Sequence, residues 1–158
     1  MVTRAEQFAA HFEAANNALI DAVRGCSDED WQKRSASEGW PVGVLAHHVA
    51  LSYAPIAGAV KTVADGKVLP RMSPQDQAAT NAHHAEEYAH VTQQETLDAL
   101  RHTSDDVAAL VRGLSDEQFA RTTTAFGGRE MSVAQLVEYV VIGHPKQHLA
   151  SIQTALSS

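Results

Sequence analysis

Apolar side chains recur three and four residues apart in four long stretches of the chain, and this spacing predicts four main helices. Glycines that follow the first and third stretches, Gly25 and Gly113, are typical helix C-caps. Thr92 and Glu95 stand three residues apart at the start of the third stretch, which is the spacing of a capping box. The predicted helices cover residues 2–24, 40–66, 92–113 and 132–156.

The segments between these helices carry weaker signals. Residues 74–90 predict a further helical segment that is mostly polar and rich in alanine. The pattern leaves open whether this segment breaks at Val91-Thr92 or continues into the third helix. Residues 120–130 predict a loop that is compatible with a short hairpin around Gly127-Gly128. Because no long stretch alternates as a strand does, the predicted fold class is all-α.

Residues 23–31 and 111–119 resemble each other, and each follows one long helix and precedes another. The simplest interpretation is two helix-turn-helix halves joined by a crossover at residues 64–91. We therefore predict one domain over residues 1–158, a four-helix bundle whose long connection carries an extra helical segment.

Charge and composition exclude several classes of protein. A formal net charge of -7 without a cluster of lysine and arginine argues against a nucleic-acid partner. The uncharged run from Gly39 to Val60 is long enough to span a bilayer, but its histidines and prolines favour a buried bundle helix over a membrane partner. One cysteine, Cys26, allows no intramolecular disulfide, and the first residues lack the apolar segment of a signal peptide. We expect a cytoplasmic protein.

Two histidines, His144 and His148, stand four residues apart on the last predicted helix. This spacing places both imidazoles on one helix face, one turn apart, where they can hold a single cation. Pro145 lies between them, and a proline inside a helix removes a backbone donor and predicts a kink there.

His47 and His48 are neighbours on the second predicted helix. Adjacent helix positions point about 100° apart, so one of the two can point fully inward, and periodicity does not select which. In the simpler interpretation, one is a core histidine bonded to a carbonyl and the other is at the surface. In the sharper one, one of them faces His144 and His148, and three histidines leave an open position typical of catalytic zinc.

The other histidines predict no site. His83, His84 and His90 lie on the polar segment and are expected to be solvated, and His11 and His102 are isolated.

Further side chains are candidates for a pocket or for the core. We expect Cys26 to pack as a small apolar side chain and not to act as a nucleophile. Trp31 and Trp40 read as anchors of the core or of a loop. Other side chains that can reach a pocket are Ser52, Tyr53, Arg71, Asn81, Arg129 and Tyr139. The sequence contains no phosphate-binding glycine loop, paired-cysteine metal site or serine triad.

Three features together resemble the DinB-like superfamily, which includes mycothiol-dependent maleylpyruvate isomerases and bacillithiol transferases. These are Trp40-Pro41 opening a helix with a histidine eight residues after the tryptophan, the crossover with Asn81, and the terminal Gly-His-Pro-Xaa-Xaa-His. The resemblance implies an up-down-down-up bundle with zinc or nickel bound by His48, His144 and His148. His47 is an extra histidine and the alternative to His48. Relatives commonly form dimers, which implies a homodimer.

The resemblance further implies a metal-dependent enzyme that acts on a small molecule with a low-molecular-weight thiol such as mycothiol or bacillithiol. We expect a thiol S-transferase or isomerase. The alternatives are a metal-dependent hydrolase and a bundle that binds metal or associates with a partner without catalysis. No residue is identified as the general acid or base, and Tyr139 is the first guess.

Overall fold

Helices form most of the chain in the computed structural model, which describes residues 1–158 with the exception of the Phe126 side chain. The two short strands pair antiparallel, so the hairpin that the 120–130 loop allowed is present. The elements in order are α1 (Arg4–Arg24), α2 (Asp28–Gln32), α3 (Val42–Ala64), α4 (Pro74–Glu87), α5 (Gln93–Arg112), α6 (Asp116–Ala120), β1 (Thr122–Thr124), β2 (Glu130–Ser132), α7 (Val133–Leu136), a π-helical segment (Val137–Ile142) and α8 (Gly143–Leu156).

Capping boxes mark the starts of α2, α5, α6 and α7. At the start of α5, the Thr92 hydroxyl accepts a hydrogen bond from the Glu95 backbone N–H at 3.1 Å, and the Glu95 carboxylate accepts one from the Thr92 N–H at 2.8 Å. Each such cap satisfies backbone donors that the helix leaves free and contributes about 1 kcal/mol. Because α4 ends at Glu87 and α5 begins at Gln93, the chain breaks near Val91-Thr92 instead of forming one long helix.

Helices α1 and α5 are antiparallel neighbours. The Gln93 side chain, at the start of α5, donates to the Cys26 carbonyl just beyond the end of α1 at 3.1 Å. At the other end of the pair, the Arg112 guanidinium lies 2.7 Å from the Glu13 carboxylate.

Helices α3 and α8 are also antiparallel. The Val42 N–H, at the start of α3, donates to the Lys33 carbonyl at 2.8 Å, and the Lys33 ammonium donates to the carbonyl of Leu156, at the end of α8, at 3.4 Å. Helices α5 and α8 each pack on both α1 and α3. His47, near the start of α3, packs on Tyr88 just before α5, and the Ala64 carbonyl at the end of α3 accepts a hydrogen bond from Arg121, beyond α5, so α3 and α5 are parallel. Together these contacts confirm a four-helix bundle with up-down-down-up topology, in which α4 lies on the crossover.

The last helix contains its irregularity before Pro145 instead of at it. The sequence predicts a kink at the proline. The structure instead has a π-helical segment at Val137–Ile142, which is directly followed by α8. A proline in a regular helix clashes with the carbonyl four residues earlier, and a widened turn ahead of it relieves that clash. A Cβ added at Gly143 would lie 3.5 Å from the carbonyl of Glu138, five residues back, which is the spacing of the wider turn.

Helix α3 supplies much of the bundle core. Its Tyr53 is 1% exposed, packs edge-on against Phe12 and donates its hydroxyl to Asn16 Oδ1 at 2.8 Å, so it belongs to the core and not to a pocket. Helix α3 is long and apolar enough to cross a membrane by length and composition, and half of its most apolar window is buried in the bundle. That burial is expected of the central helix of a soluble protein.

Candidate metal centre

His48 on α3 and His144 and His148 on α8 form one cluster. Each offers a ring nitrogen, and these three atoms lie within 4.8 Å of one another. The ring centroids of His144 and His148 are 4.5 Å apart, and that of His48 lies 5.4 Å and 5.3 Å from theirs. The structure therefore brings together the three predicted ligands, with His48 and not His47 facing α8.

The bundle geometry explains this convergence. The four-residue spacing places His144 and His148 on one face of α8, and the π-helical segment upstream sets the rotation of that face. Helices α3 and α8 are antiparallel, with the start of α3 near the end of α8. His48 lies six residues after the start of α3 and His148 lies eight residues before the end of α8, so His48 stands opposite the pair.

Burial keeps these imidazoles uncharged. It lowers the pKa of His48 to about 3, with a smaller effect from His144 and His148, and lowers the pKa of His144 to about 4. Burial also lowers the pKa of His148, and the nearby Glu38 carboxylate opposes that shift. Neutral imidazole is the form that binds a metal, so the site does not have to lose protons at pH 7.

Two nitrogen atoms of the cluster lack a hydrogen-bond partner. Within the described residues, His144 Nε2 and His148 Nδ1 are buried and have no partner with hydrogen-bond geometry. Buried polar groups nearly always have one, and an exception calls for an explanation such as an ion. His144 Nε2, a buried and unpartnered nitrogen of a neutral imidazole, fits a nitrogen ligand of a divalent cation such as zinc, whereas His148 Nδ1 faces the Glu38 carboxylate.

Polar and aromatic side chains surround the cluster. Trp40 packs edge-on against His48 with ring centroids 5.3 Å apart. The Ser52 hydroxyl donates to the His48 carbonyl at 2.7 Å and lies 3.5 Å from its Nε2. Glu38 Oε1 lies 3.3 Å from His148 Nδ1, within ion-pair distance, although the pair is not aligned as a hydrogen bond.

A second histidine cluster borders the first. His47 Nδ1 lies 3.2 Å from His84 Nε2, and Tyr88 packs on both rings. His84 is 8% exposed and its ring centroid lies 5.4 Å from that of His48, so the prediction of a solvated His84 is wrong. Helix α4 is polar overall, and its inward stripe is aromatic and polar instead of aliphatic. The signal that was available is the three- and four-residue spacing of Asn81, His84 and Tyr88.

The four remaining histidines are exposed to solvent. His83 is exposed and lies 3.3 Å from Glu87, and His11, His90 and His102 are also exposed.

Arg71, Arg129 and Tyr139 line surface pockets that no histidine lines, and Asn81 lies one turn before His84 on α4. Tyr139 is 62% exposed and lines a surface pocket with Arg129. Asn81 accepts a hydrogen bond from Gln77 on the same helix at 3.1 Å. Arg71 lines a groove of about 680 Å³ together with Val63, near the end of α3 that is remote from His48. Its charged lining consists of Lys67, Arg71, Arg121 and Glu130, which are not the nitrogen ligands that the histidine cluster offers.

Trp31 and Cys26 are structural, as expected. The Trp31 indole N–H donates to the Val91 carbonyl at 2.9 Å and anchors the segment between α4 and α5. Cys26 is buried, and its burial raises the pKa of the thiol, which makes it a poor nucleophile at neutral pH.

Comparisons with known proteins give the same fold. The sequence model of the DinB superfamily matches residues 11–152. YfiT from Bacillus subtilis, described as a probable metal-dependent hydrolase with an unusual four-helix bundle topology, aligns with a TM-score of 0.80 at 21% identity, over 99% of this chain and 89% of that one. The mycothiol-dependent maleylpyruvate isomerase aligns with a TM-score of 0.75 at 13% identity, over 95% of this chain and 61% of that one. No curated protein matches the chain in sequence.

Proposed function

Because the chain belongs to the DinB superfamily, we propose that it is a metal-dependent enzyme in which His48, His144 and His148 hold a divalent cation, zinc or nickel. The observation that carries this proposal is the convergence of three largely buried imidazoles whose ligand atoms lie within 4.8 Å of one another. Three neutral ligands leave the charge of the cation uncompensated and one coordination position open, which is the pattern of a catalytic site.

Such a cation, when bound, is a Lewis acid that lowers the pKa of a coordinated water or thiol. The protein supplies the geometry for this chemistry. The four-residue repeat on α8 fixes the relative position of His144 and His148, and α3 adds His48 from the opposite side. The Trp40 indole packs edge-on against His48 and adds apolar surface beside this proposed ligand.

The reaction that we favour is transfer or isomerisation with a low-molecular-weight thiol such as mycothiol or bacillithiol. Its support is the fold shared with a mycothiol-dependent isomerase and the three-histidine site. A thiol that binds a dication loses its proton and becomes a nucleophile at neutral pH. The substrate in this proposal is a small electrophilic molecule.

A second candidate is metal-dependent hydrolysis. It is favoured by the similarity to YfiT, a probable metal-dependent hydrolase, which extends over 89% of that chain, whereas the isomerase has a large part that this chain does not match. Turnover of an electrophile only with added thiol would support the transferase or isomerase. Turnover of esters without thiol would support the hydrolase, and bound metal without either activity would indicate a non-catalytic metal-binding bundle.

Metal analysis of untagged protein tests the site itself. We expect about one divalent ion per chain in the native protein and its loss in His144→Ala and His148→Ala. His102→Ala is the matched control, because His102 is exposed on α5 and should retain the metal. Sub-stoichiometric metal in the native protein, unchanged by the two substitutions on α8, would rule out the proposal.

The cellular setting is part of the proposal. A buried, unpaired Cys26 is compatible with a reducing cytoplasm, where low-molecular-weight thiols are kept reduced. We also propose a homodimer in solution, as implied by the family. Sedimentation analysis would test it, and a single species of 17.0 kDa would contradict it.

A further inference from the structure

We propose that Glu38 is a positioning residue for His148: its carboxylate accepts the imidazole Nδ1–H and leaves Nε2 as the nitrogen for the cation. This inference rests on the proposed metal site and adds a residue to it. Glu38 lies outside the four main helices, on the loop between α2 and α3, so its part in the site follows only from the tertiary contacts described next.

Glu38 and His148 meet in a mostly buried environment. Glu38 Oε1 lies 3.3 Å from His148 Nδ1, and the two side chains are 18% and 12% exposed. Among the described residues, His148 is the basic side chain within ion-pair distance of Glu38, and no lysine or arginine takes that place. A largely buried carboxylate requires a compensating charge or a hydrogen-bonded network, and a cation held by the adjacent imidazoles supplies that charge.

The loop that carries Glu38 is closed on itself. The Ser35 N–H donates to the Trp40 carbonyl at 2.9 Å, and the Gly39 N–H donates to the Ser35 carbonyl at 2.8 Å. Gly39 has a φ of 75°, a conformation that strongly favours glycine, and it allows the chain to turn between Glu38 and Trp40. The loop therefore presents Glu38 to His148 and Trp40 to His48, at two sides of the same cluster.

Hydroxyl groups hold the carboxylate from both sides. The Ser35 hydroxyl donates to Glu38 Oε2, and the Ser151 hydroxyl donates to Glu38 Oε1 at 3.2 Å. Ser151 lies three residues after His148 on α8, so both side chains emerge from one face of that helix. Glu38 thus connects the loop to α8 at the turn that carries a metal ligand.

A carboxylate in this position decides which ring nitrogen bears the proton. Metal-binding histidines commonly donate their second ring N–H to a carboxylate, which fixes the tautomer and the ring orientation. The present N–H···O alignment is imperfect, and the terminal torsion of histidine is soft enough for a small ring rotation to correct it. The network of Ser35, Ser151 and Glu38 then fixes the orientation in which the imidazole binds.

The test measures metal affinity and coordination, not turnover. Dissociation constants for zinc would be obtained by chelator competition for the native protein, Glu38→Ala and Glu38→Gln, with the absorption spectrum of the cobalt-loaded forms as a second readout. We expect Glu38→Ala to bind zinc about 10- to 100-fold more weakly, as is usual for loss of such a partner. Glu38→Gln should fall between the two, because its amide oxygen still accepts a hydrogen bond but carries no charge. Glu29→Gln, an exposed carboxylate on α2, is the control and should match the native protein.

The outcomes separate this inference from the proposed function. If the native protein binds no zinc, the proposed function fails first. If the native protein binds zinc and both Glu38 variants bind it equally well, the positioning role is wrong. A cobalt spectrum showing that Glu38→Gln loses an oxygen ligand would also overturn it, because Glu38 would then be a direct ligand. Equal thermal unfolding of metal-free native and Glu38→Gln proteins verifies that the fold is intact.

Discussion

His47 Nδ1 lies 3.2 Å from His84 Nε2, and the two ring planes are within 12° of each other. Two ring nitrogens at this distance can form an N–H···N hydrogen bond between two neutral imidazoles, one as donor and the other as acceptor. The bond joins α3 of the bundle to α4 of the crossover. Near the site, α4 is attached by this polar contact, by Tyr88 just after its end, and by the His84 ring against His48 and Trp40.

Loss of the His84 side chain should loosen α4. In His84→Ala, His47 Nδ1 loses its partner inside the protein, which costs about 1–3 kcal/mol for an unsatisfied buried group. We expect faster amide hydrogen exchange in α4 with little change in α1 and α5. His83→Ala, at the exposed neighbouring position, is the control and should leave exchange unchanged. Equal protection of α4 in both variants would show that the histidine pair does not hold the crossover.

The buried histidines predict how stability depends on pH in metal-free protein. Burial lowers the pKa of His84 and His144 to about 4 and that of His48 to about 3, with a further lowering at each from neighbouring histidines. Histidines in the unfolded chain have a pKa of about 6.5. Below that pH the unfolded state therefore binds protons that the folded state does not bind. The free energy of unfolding should therefore be level above about pH 6.5 and fall as the pH decreases toward 4.

Urea unfolding of chelator-treated protein at pH 8, 7, 6 and 5 measures this dependence. The midpoint should be similar at the two higher values and lower at each of the others. His102→Ala should show the same slope as the native protein, because His102 is exposed on α5. Equal midpoints at pH 7 and pH 5 would contradict the prediction.

The helices and part of the site were predictable from local sequence, because caps and apolar spacing act over a few residues. Thr92 and Glu95 mark the start of α5 in the sequence as they do in the structure. His48 was distinguishable from His47 only by resemblance to a family, since neighbouring positions on an apolar helix have similar surroundings.

The rest of the site depends on tertiary contacts. Residues 32–39 are mostly polar in sequence, and nothing local indicates that this loop folds Glu38 back onto α8, more than a hundred residues away in the chain. His84 likewise lies on a helix whose composition predicts solvation. The spacing of Asn81, His84 and Tyr88 is compatible with an inward stripe, but the burial of His84 follows from the docking of α4 against α3, which is a tertiary contact.

The adjacent pair His47 and His48 allows a direct test of which histidine serves the metal site. A ligand that binds only the folded state raises stability by about 2.7 kcal/mol at a hundredfold excess over its dissociation constant. We expect zinc to raise the melting temperature of the native protein and of His47→Ala, because His47 faces His84. His48→Ala should lose that rise. A zinc-induced rise that disappears in His47→Ala but persists in His48→Ala would exchange the two assignments.

Gly43 and Gly58 on α3 provide a matched test of the packing that surrounds the site. A Cβ at Gly43 would overlap the Trp31 indole, whereas one at Gly58 would meet nothing within 4 Å. Alanine is the better helix former by about 1 kcal/mol at an open position, so Gly58→Ala should be neutral or stabilising. Gly43→Ala should destabilise by about 1–3 kcal/mol, because Trp31 must shift and strain its hydrogen bond to Val91. Chemical denaturation monitored by tryptophan fluorescence measures both changes. Equal stability of the two variants would mean that the indole can move away from α3 without cost.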